Sequence, residues 1–593
     1  MKNTPSFWPA KSIQESRQLM DVALGREAAD LAVVNARLLN VYTGEILENT
    51  TVCAKGRWIA YVGNTPGNII TAGTRVIDAQ GCPLVPGLID GHAHLAWMVS
   101  PAEFLKCVIP GGTTTIITET MEMFPVAGYD GVIDFLNACK DQPVNIFATA
   151  PAMVSISRKV HAISADALGR LLERNDILGL GESYWQALLQ DPDAILPIFR
   201  QTLLSGKTLE GHSAGASANK LAAYVAAGVS SCHEPITAEE VLDRLRLGLT
   251  VMIREGSIRR DLETISRIKD SGASFRRLAL VTDGVEPKDL LEKGYMEYVV
   301  QKAIDCGFDP VDAVRMATLN VAEHFSIDNL VGGIAPGRLA DMIILPDLRT
   351  IKPRYVISNG KLVARDGRLL VSPRSHPFIE KSLKSVLLPR ALRPSDFSVP
   401  VKTGSANALV RVIELVTDLV TKESRETLAA AASEIPVDLG RDIIKVAAID
   451  RTHVPGKMFT GFIKGFHLKA GAIASSGGWD SSDIVVAGTN DADMATAVNR
   501  IFDLQGGAVV CRCGEILAEI PLPVMGILSG LSVERLAAGL EGLNTAVAKL
   551  GVSLKNPLLT LITLTGAAIP YLRICEEGLV NLKDGRTLGL FID

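Results

Sequence analysis

The stretch PGLIDGHAH at residues 86–94 is an apolar run that ends in two histidines. On a β-strand, residues i and i+2 share one face, so His92 and His94 would point to the same side. Imidazole is a common ligand of Zn, Mn and Fe, and two imidazoles on one face make half of a metal site. This spacing alone is a weak signal, and its weight depends on what the rest of the chain places near it.

Four later apolar runs also end in a residue that can bind a metal. Glu182 ends the run 177–181, His212 ends 208–211, His233 ends 229–232 and Asp283 ends 278–282. In barrels built from repeated β-α units, the carboxyl ends of the strands meet at one face, where the active sites lie. The two histidines and these four residues are therefore predicted to converge on one metal centre.

The region 86–331 alternates short apolar runs with stretches of helical periodicity. The predicted strands are 114–118, 146–149, 177–182, 208–212, 229–233, 250–254 and 278–283, and helical stretches such as 218–227 and 238–247 fall between them. Repeated β-α units over about 250 residues are typical of a (β/α)₈ TIM barrel. The predicted fold class is therefore α/β.

The flanking regions predict three further parts. Residues 1–29 read as a polar lead-in with a short helix at 13–24. Residues 30–85 and 332–372 contain short β runs separated by turns, and we expect them to combine into one composite β-sandwich domain. A proline-rich passage follows, and residues 373–593 predict a separate α+β domain.

Composition excludes several classes of protein. The 593 residues carry 60 Lys and Arg against 65 Asp and Glu, a net charge of −5, which argues against nucleic acid as a partner. The longest apolar candidate, 557–569, is shorter than the roughly 20 residues of a membrane span. Nine cysteines, an odd number, and no signal-peptide pattern favour the cytoplasm. The hydrophobic content of 47% is compatible with a homo-oligomer.

The motifs resemble the amidohydrolase superfamily and, within it, the adenine deaminase family. PGLIDGHAH is similar to the superfamily's first-strand signature. The stretches GLGE (179–182), EGHSAG (210–215), SSCHE (230–234), MIREGS (252–257) and GFHLKAGAIASS (465–476) resemble adenine deaminases in particular. The resemblance extends over nearly the whole chain from about residue 30, and it implies that 373–593 is the C-terminal domain of that family.

The resemblance also implies a cofactor and a reaction. Two divalent metal ions are expected, Mn²⁺ in the first place, with Fe²⁺ or Zn²⁺ as alternatives. One ion would be bound by His92, His94 and Asp283, the second by His212 and His233, and Glu182 would bridge them. Water activated between the ions would attack C6 of adenine, a free purine base, and yield hypoxanthine and ammonia. Asp283 would carry the proton from this water to the leaving amine.

Four other residues are candidates for the site, and three of them have an alternative role. Glu234 would either hydrogen-bond or protonate a purine ring nitrogen, or orient a metal-binding histidine. Arg254 and Ser257 would either line the substrate pocket or hold a loop. Trp97 would line the pocket where adenine deaminases carry polar residues. The H-x-E and P-C-x-x-C signature of the other zinc deaminases is absent.

The chain departs from the family's pattern around the pocket. The family's I-E-S-S-M, D-P-H-E-I and A-H-D-S-H-N become LAWMV (95–99), ETMEM (119–123) and GWDSSD (478–483). With Trp97, Met98, Met121 and Trp479 in place of polar groups, a more apolar pocket is predicted. Three functions stay open: an adenine deaminase, a diverged amidohydrolase that acts on an N6-substituted purine or a cyclic amide, and a non-catalytic relative that binds metal and purine.

Overall fold

The computed structural model describes residues 11–64, 66–152, 155–157, 162–401, 404–478 and 480–592. Its first element is helix Ile13–Ala23, close to the predicted 13–24. Ser12 caps this helix, because its hydroxyl accepts a hydrogen bond from the Glu15 N–H while the Glu15 carboxylate accepts one from the Ser12 N–H. Leu19 and Val22 form the buried face.

Nine strands form one continuous sheet from two stretches of chain that flank the barrel sequence. The strands are Leu31–Leu39, Ile46–Lys55, Trp58–Gly63, Arg75–Asp78, Pro83–Pro86, Met342–Ile344, Tyr355–Ser358, Lys361–Arg365 and Arg368–Leu369. Pro83–Pro86 pairs with Met342–Ile344 in antiparallel register, so the chain returns beside the strand from which it left. Apolar side chains of both stretches, among them Val52 and Ile357, share one buried cluster.

Eight parallel strands form the barrel. They are β1 (Leu88–Ala93), β2 (Thr113–Thr118), β3 (Asn145–Ala150), β4 (Ile177–Tyr184), β5 (Thr208–His212), β6 (Ser231–Cys232), β7 (Thr250–Arg254) and β8 (Leu278–Val281). Ladders join β1 to β5 and β6 to β8. Hydrogen bonds outside these ladders close the ring: Ser230 N donates to Leu209 O at 2.9 Å, Asp283 N donates to His92 O at 3.0 Å, and His94 N donates to Asp283 O at 2.7 Å. The predicted α/β class with a (β/α)₈ barrel is confirmed.

Helices surround these strands. They are Pro101–Val108, Phe124–Cys139, Ala165–Leu172, Trp185–Gln190, Pro192–Leu204, Ala218–Ala226, Ala238–Arg246, Leu262–Ile265, Pro287–Glu292, Met296–Asp305, Pro310–Met316 and Leu319–His324. β2 and β4 are buried along their whole length. Parallel strands covered on both faces tend to read as continuous apolar runs, and the fully buried β8, with the sequence LALV, is an example.

The C-terminal region is built on an eight-stranded sheet. Its strands are Asn407–Leu415, Thr421–Ala429, Ile443–Asp450, Met458–Lys464, Ala472–Ser475, Asp483–Gly488, Gly507–Arg512 and Glu515–Pro521. Helices Asp491–Leu504 and Val533–Lys549 pack on this sheet. Helices Glu380–Leu383 and Pro557–Thr563 and a small sheet of Leu572–Cys575, Gly578–Asn581 and Arg586–Leu588 complete the region.

A short pair of strands joins the C-terminal region to the barrel. Met98–Val99, just after β1, pairs in parallel with Leu528–Ser529. Ser100 N also donates to Ser529 O at 3.1 Å. The C-terminal region is therefore fastened beside the loop that follows the two histidines. Within the part of the chain that the structure describes, no helix has the length and apolar character needed to cross a bilayer.

Candidate metal centre and its cavity

The ends of the barrel strands bring the six predicted metal ligands into one buried cluster. They are His92 and His94 at β1, Glu182 in β4, His212 at the end of β5, His233 after β6 and Asp283 after β8. Each is at most 7% exposed. Barrel topology explains this convergence, because the carboxyl ends of the parallel strands surround a single mouth.

Glu182 lies in the middle of the cluster. Its Oε1 is 3.2 Å from Nε2 of both His92 and His94 and 3.4 Å from Nε2 of His233. Its Oε2 is 3.1 Å from Nδ1 of His212. Burial by itself would raise the pKa of Glu182, but the surrounding histidines hold that pKa well below its usual range. A carboxylate kept ionised between two pairs of imidazoles suits a ligand shared by two cations.

The donor atoms fit a divalent cation. Ligand atoms of His92, Glu182, His233 and Asp283 all lie within 4.8 Å of one another, and those of His212, His233 and Glu234 do the same. Nε2 of His92 is buried without a hydrogen bond to any described residue, and Oε1 of Glu182 lies 3.2 Å from it. Imidazole nitrogens mixed with carboxylate oxygens are the ligands of Zn, Mn and Fe sites.

Two glutamates behind the cluster contact its histidines. Oε1 of Glu122 lies 2.6 Å from Nδ1 of His94, and Oε1 of Glu119 lies 3.6 Å from Nδ1 of His92. A carboxylate at Nδ1 fixes the tautomer that turns the Nε2 lone pair toward a metal. Burial raises the pKa of Glu119 to about 7. Neither glutamate belongs to a motif that predicts a metal ligand, although both follow the end of β2 just as the predicted ligands follow the ends of their strands.

Contacts from β1 and β7 fix Asp283. Its N–H donates to His92 O at 3.0 Å, and its carbonyl accepts from His94 N at 2.7 Å. Its Oδ1 lies 3.1 Å from His94 Nε2, while its Oδ2 accepts a hydrogen bond from Arg254 Nη1 at 3.2 Å. Burial by itself would raise the pKa of Asp283, but His92, His94 and Arg254 hold it well below its usual range.

Glu234 is fixed at one oxygen and faces two histidines with the other. Its Oε2 accepts hydrogen bonds from Ser213 N at 2.6 Å and from Ser213 Oγ at 3.2 Å. Its Oε1 lies 2.9 Å from His233 Nε2 and 3.3 Å from His212 Nδ1. Burial opposes ionisation, yet these histidines hold the pKa of Glu234 well below its usual range. These are the nitrogens that also face Glu182, so Oε1 of Glu234 lies on the metal side of both histidines.

A cavity of about 870 Å³ adjoins the cluster, between the barrel and the C-terminal region. Met121 and Arg254 line it on the barrel side together with metal-ligand candidates. Leu419, Asp480 and Ile569 line it from the C-terminal region. Its walls therefore come from two parts of the chain that are distant in sequence, and the C-terminal region forms one of them.

Two of the three predicted substrate-binding residues lie elsewhere. Arg254 lines the cavity, but neither Trp97 nor Ser257 belongs to the wall that the described residues form. Trp97 is buried against Gly284, where an added Cβ would lie only 3.1 Å from the indole ring. This packing, rather than contact with the cavity, accounts for the tryptophan.

Ser257 has the alternative role that its sequence left open, that of a loop residue. Its hydroxyl donates to Asp289 Oδ2 at 2.6 Å and accepts from Glu286 N at 2.8 Å. Among the residues that replace polar groups of the family, Met121 lines the cavity. Trp479 lies outside the described residues.

Two family models match the chain. The model of the adenine deaminase C-terminal domain matches residues 418–586, and the model of the amidohydrolase family matches residues 84–363. Among solved structures, the β-aspartyl dipeptidase of Fervidobacterium islandicum AW-1 is 17% identical with a TM-score of 0.45, and the match covers 58% of this chain and 98% of that one.

Curated relatives match over the full length. The adenine deaminase of Moorella thermoacetica is 37% identical over 576 residues, which cover 95% of this chain and 96% of the relative. The adenine deaminase of Clostridium botulinum (strain 657) is 33% identical over 600 residues, which cover 100% of this chain and 99% of the relative. The barrel, its ligand cluster and the C-terminal region are all included in these matches. The chain therefore belongs to the adenine deaminase family of the amidohydrolase superfamily.

Proposed function

We propose that this protein is a hydrolase that converts adenine to hypoxanthine and ammonia, as part of purine metabolism. The observation that carries the proposal is the cluster of four histidines around Glu182 at the barrel mouth, next to a cavity walled by the C-terminal region. Relatives named adenine deaminase align with this protein over 95% to 100% of its length. A cavity of about 870 Å³ is within the range of small-molecule sites.

We infer that the site takes two divalent ions, Mn²⁺ in the first place and Fe²⁺ or Zn²⁺ otherwise. His92, His94 and Asp283 would hold one ion, His212 and His233 would hold the other, and Glu182 would lie between them. Such ions, when bound, make a water molecule acidic enough to attack as a nucleophile near neutral pH. The proposal is supported by the position of the Glu182 carboxylate, whose Oε1 faces His92, His94 and His233 and whose Oε2 faces His212.

In this proposal Asp283 moves the proton. Arg254 engages its Oδ2, so its Oδ1 is the atom that takes a proton from the attacking water and gives it to the exocyclic amine. The C6–N bond then breaks, ammonia leaves, and the water oxygen stays as the C6 carbonyl of hypoxanthine. The second proton of the water ends on the ring. Glu234, whose Oε1 lies on the metal side of His212 and His233, would hydrogen-bond or protonate the purine ring nitrogen.

A second candidate substrate is an N6-substituted purine. Met121 stands at the cavity wall where the family carries a histidine, and Ile258, Ile562 and Ile569 add further apolar surface. A pocket of this kind accepts an alkyl group on the amine more readily than a pocket built from hydrogen-bonding groups. A cyclic amide and a non-catalytic purine-binding role are further alternatives that the same experiment separates.

The test is hydrolysis by the Mn²⁺-reconstituted protein, measured as ammonia released from adenine and adenosine, methylamine released from N6-methyladenine and ring-opened carbamoyl acid formed from hydantoin. Turnover of adenine that is lost after chelation and in Glu182→Gln supports the proposal. If the protein hydrolyses N6-methyladenine or hydantoin but not adenine, the hydrolysed compound and not adenine is the substrate. Bound metal with no turnover of any of the four would favour the non-catalytic role.

We further propose the domain boundaries and the setting of the enzyme. The domains are residues 86–331 for the barrel, 30–85 with 332–372 for the composite β domain, and 373–593 for the C-terminal domain, after a lead-in at 1–29. The net charge of −5 supports a free base rather than nucleic acid as substrate. A cytoplasmic location and a homo-oligomeric state complete the proposal.

A further inference from the structure

The C-terminal domain places a buried carboxyl group in the wall of the cavity. Asp480 is 3% exposed and lines the cavity that also contains Glu182 and His233. Around it the same wall is largely apolar, with Leu419, Ile562 and Ile569. An ionisable group in such surroundings needs a partner, because burial without one disfavours its charged form.

The Asp480 carboxyl is held in a fixed orientation. Its Oδ2 accepts a hydrogen bond from Ala567 N at 2.7 Å. Its Oδ1 lies against Gly566, where an added Cβ would be 3.0 Å away. Ala567 is fixed in turn, because it packs with Ala568 against Met121 and Tyr184 of the barrel. Asp480 is thus positioned relative to the barrel mouth as well as to its own domain.

A buried arginine braces the segments that form this wall. Arg573 is fully buried, and its Nε donates to Ile569 O at 2.6 Å. Its Nη2 donates to Leu419 O at 2.9 Å and to Pro570 O at 3.0 Å. Burial lowers the pKa of Arg573 to about 9, and the charge of Asp480 opposes this shift. The wall is therefore preorganised around Asp480 before any ligand enters.

A free purine base offers this carboxyl a hydrogen-bond donor in addition to Ala567 N. Its five-membered ring carries one N–H, which a nucleoside loses because the sugar occupies N9. The other end of the purine, C6 with its amine, belongs at the ligand cluster of the barrel. An acceptor in the wall that the C-terminal domain contributes is then suited to the N–H of the five-membered ring, and a hydrogen bond to a charged group is stronger than one between neutral groups.

We propose that Asp480 is a specificity-determining residue, whose carboxylate accepts the N–H of the purine five-membered ring and so selects the free base over N9-substituted purines. This inference rests on the proposed deamination. It gives the C-terminal domain a direct part in substrate recognition, alongside its part in closing the cavity.

The experiment compares adenine with 9-methyladenine, which lacks the ring N–H but keeps the amine that is hydrolysed. In the intact, metal-loaded protein, kcat/KM is expected to be higher for adenine. Asp480→Asn should reduce kcat/KM for adenine by about 10- to 100-fold, the value of a hydrogen bond to a charged group. The same change should leave kcat/KM for 9-methyladenine nearly unaffected, so the preference for adenine over 9-methyladenine is lost. If Asp480 had only a structural role, the change would lower kcat/KM equally for both substrates.

Two further variants keep the test decisive. Gly566→Ala leaves the charge intact but displaces Oδ1 of Asp480, so it should also reduce the preference. Asp503→Asn, at an exposed position in the same domain, is the control and should keep the preference for adenine. An unchanged preference in a folded Asp480 or Gly566 variant overturns the inference while the proposed function stands. Failure of the unaltered, metal-loaded protein to release ammonia from adenine overturns the proposed function instead.

Discussion

Oε1 of Glu122 lies 2.6 Å from Nδ1 of His94, and this contact connects β2 to the metal-ligand cluster. The pair is buried, with the Glu122 side chain inaccessible and that of His94 2% exposed. A carboxylate in this position fixes one tautomer and one orientation of the imidazole. The metal affinity of the site should therefore depend on a residue that does not bind the metal itself.

Glu122→Gln is expected to weaken metal binding by about 10- to 100-fold, the usual effect of losing a carboxylate behind a ligating histidine. The measurement is metal per chain after dialysis against graded chelator. Glu380→Gln, which alters an exposed ion pair with Lys384, is the matched control. If both variants retain metal equally, Glu122 does not contribute to metal binding.

Asp283→Asn is expected to lower kcat by about 10²- to 10⁴-fold, because the amide cannot take the proton that the leaving amine needs. The loss should persist at metal concentrations that fill the site, as measured by metal analysis of the assayed sample. If excess metal restores kcat fully, Asp283 acts as a ligand and not as a proton carrier.

Glu297→Gln is expected to change the pH dependence of stability. Burial raises the pKa of Glu297 from 4.5 to about 7, and its carboxyl lies against Gly111 and Gly294. The folded state therefore binds a proton that the unfolded state releases, so the contribution of Glu297 to stability is full below pH 4.5 and is lost as pH rises through 7.

The variant should accordingly gain stability relative to the unaltered protein above pH 7, by on the order of 3 kcal/mol, and gain nothing from this source below pH 4.5. Thermal unfolding across this pH interval measures the difference. The exposed Glu292→Gln variant should show a pH-independent offset. The same flat offset in Glu297→Gln would contradict the assignment.

Arg451→Met is expected to destabilise the C-terminal domain by about 3 kcal/mol or more, because several buried carbonyl groups lose their donor together. Arg451 is fully buried and donates to the carbonyls of Ser385, Ser476 and Met525 at 2.9 to 3.2 Å. Urea unfolding followed by far-UV circular dichroism measures the loss. Arg425→Met, at an exposed position, should cost less than 1 kcal/mol of stability. A similarly small loss in Arg451→Met would show that its buried hydrogen bonds do not stabilise the domain.

The barrel could be predicted because several of its strands are apolar runs that end at or just before a polar residue. The predicted strands 208–212 and 250–254 have the same bounds in the structure. β6 and β8 are shorter than predicted, because the ladder stops where the chain turns to place His233 and Asp283. Asp283 has a φ of 67°, which lies in the left-handed region and cannot continue a strand.

The cavity wall of the C-terminal domain could not be predicted from the sequence. Local periodicity encodes strands and helices, but it carries no signal for which loop of one domain meets the mouth of another. The motif around Asp480 differs from the family's by two lost histidines, and that difference draws attention away from the aspartate between them. Only the packing of Ala567 and Ala568 against Met121 and Tyr184 reveals its position.

The pairing of Pro83–Pro86 with Met342–Ile344 has a consequence for how the chain folds. These two strands are neighbours in the sheet, yet the whole barrel lies between them in sequence. Loop closure over such a separation is slow, and contacts of this kind form late in folding. During synthesis, the first strands of the sheet must therefore wait with an open edge until the barrel has emerged. That interval is the period in which the chain is most exposed to misfolding and aggregation.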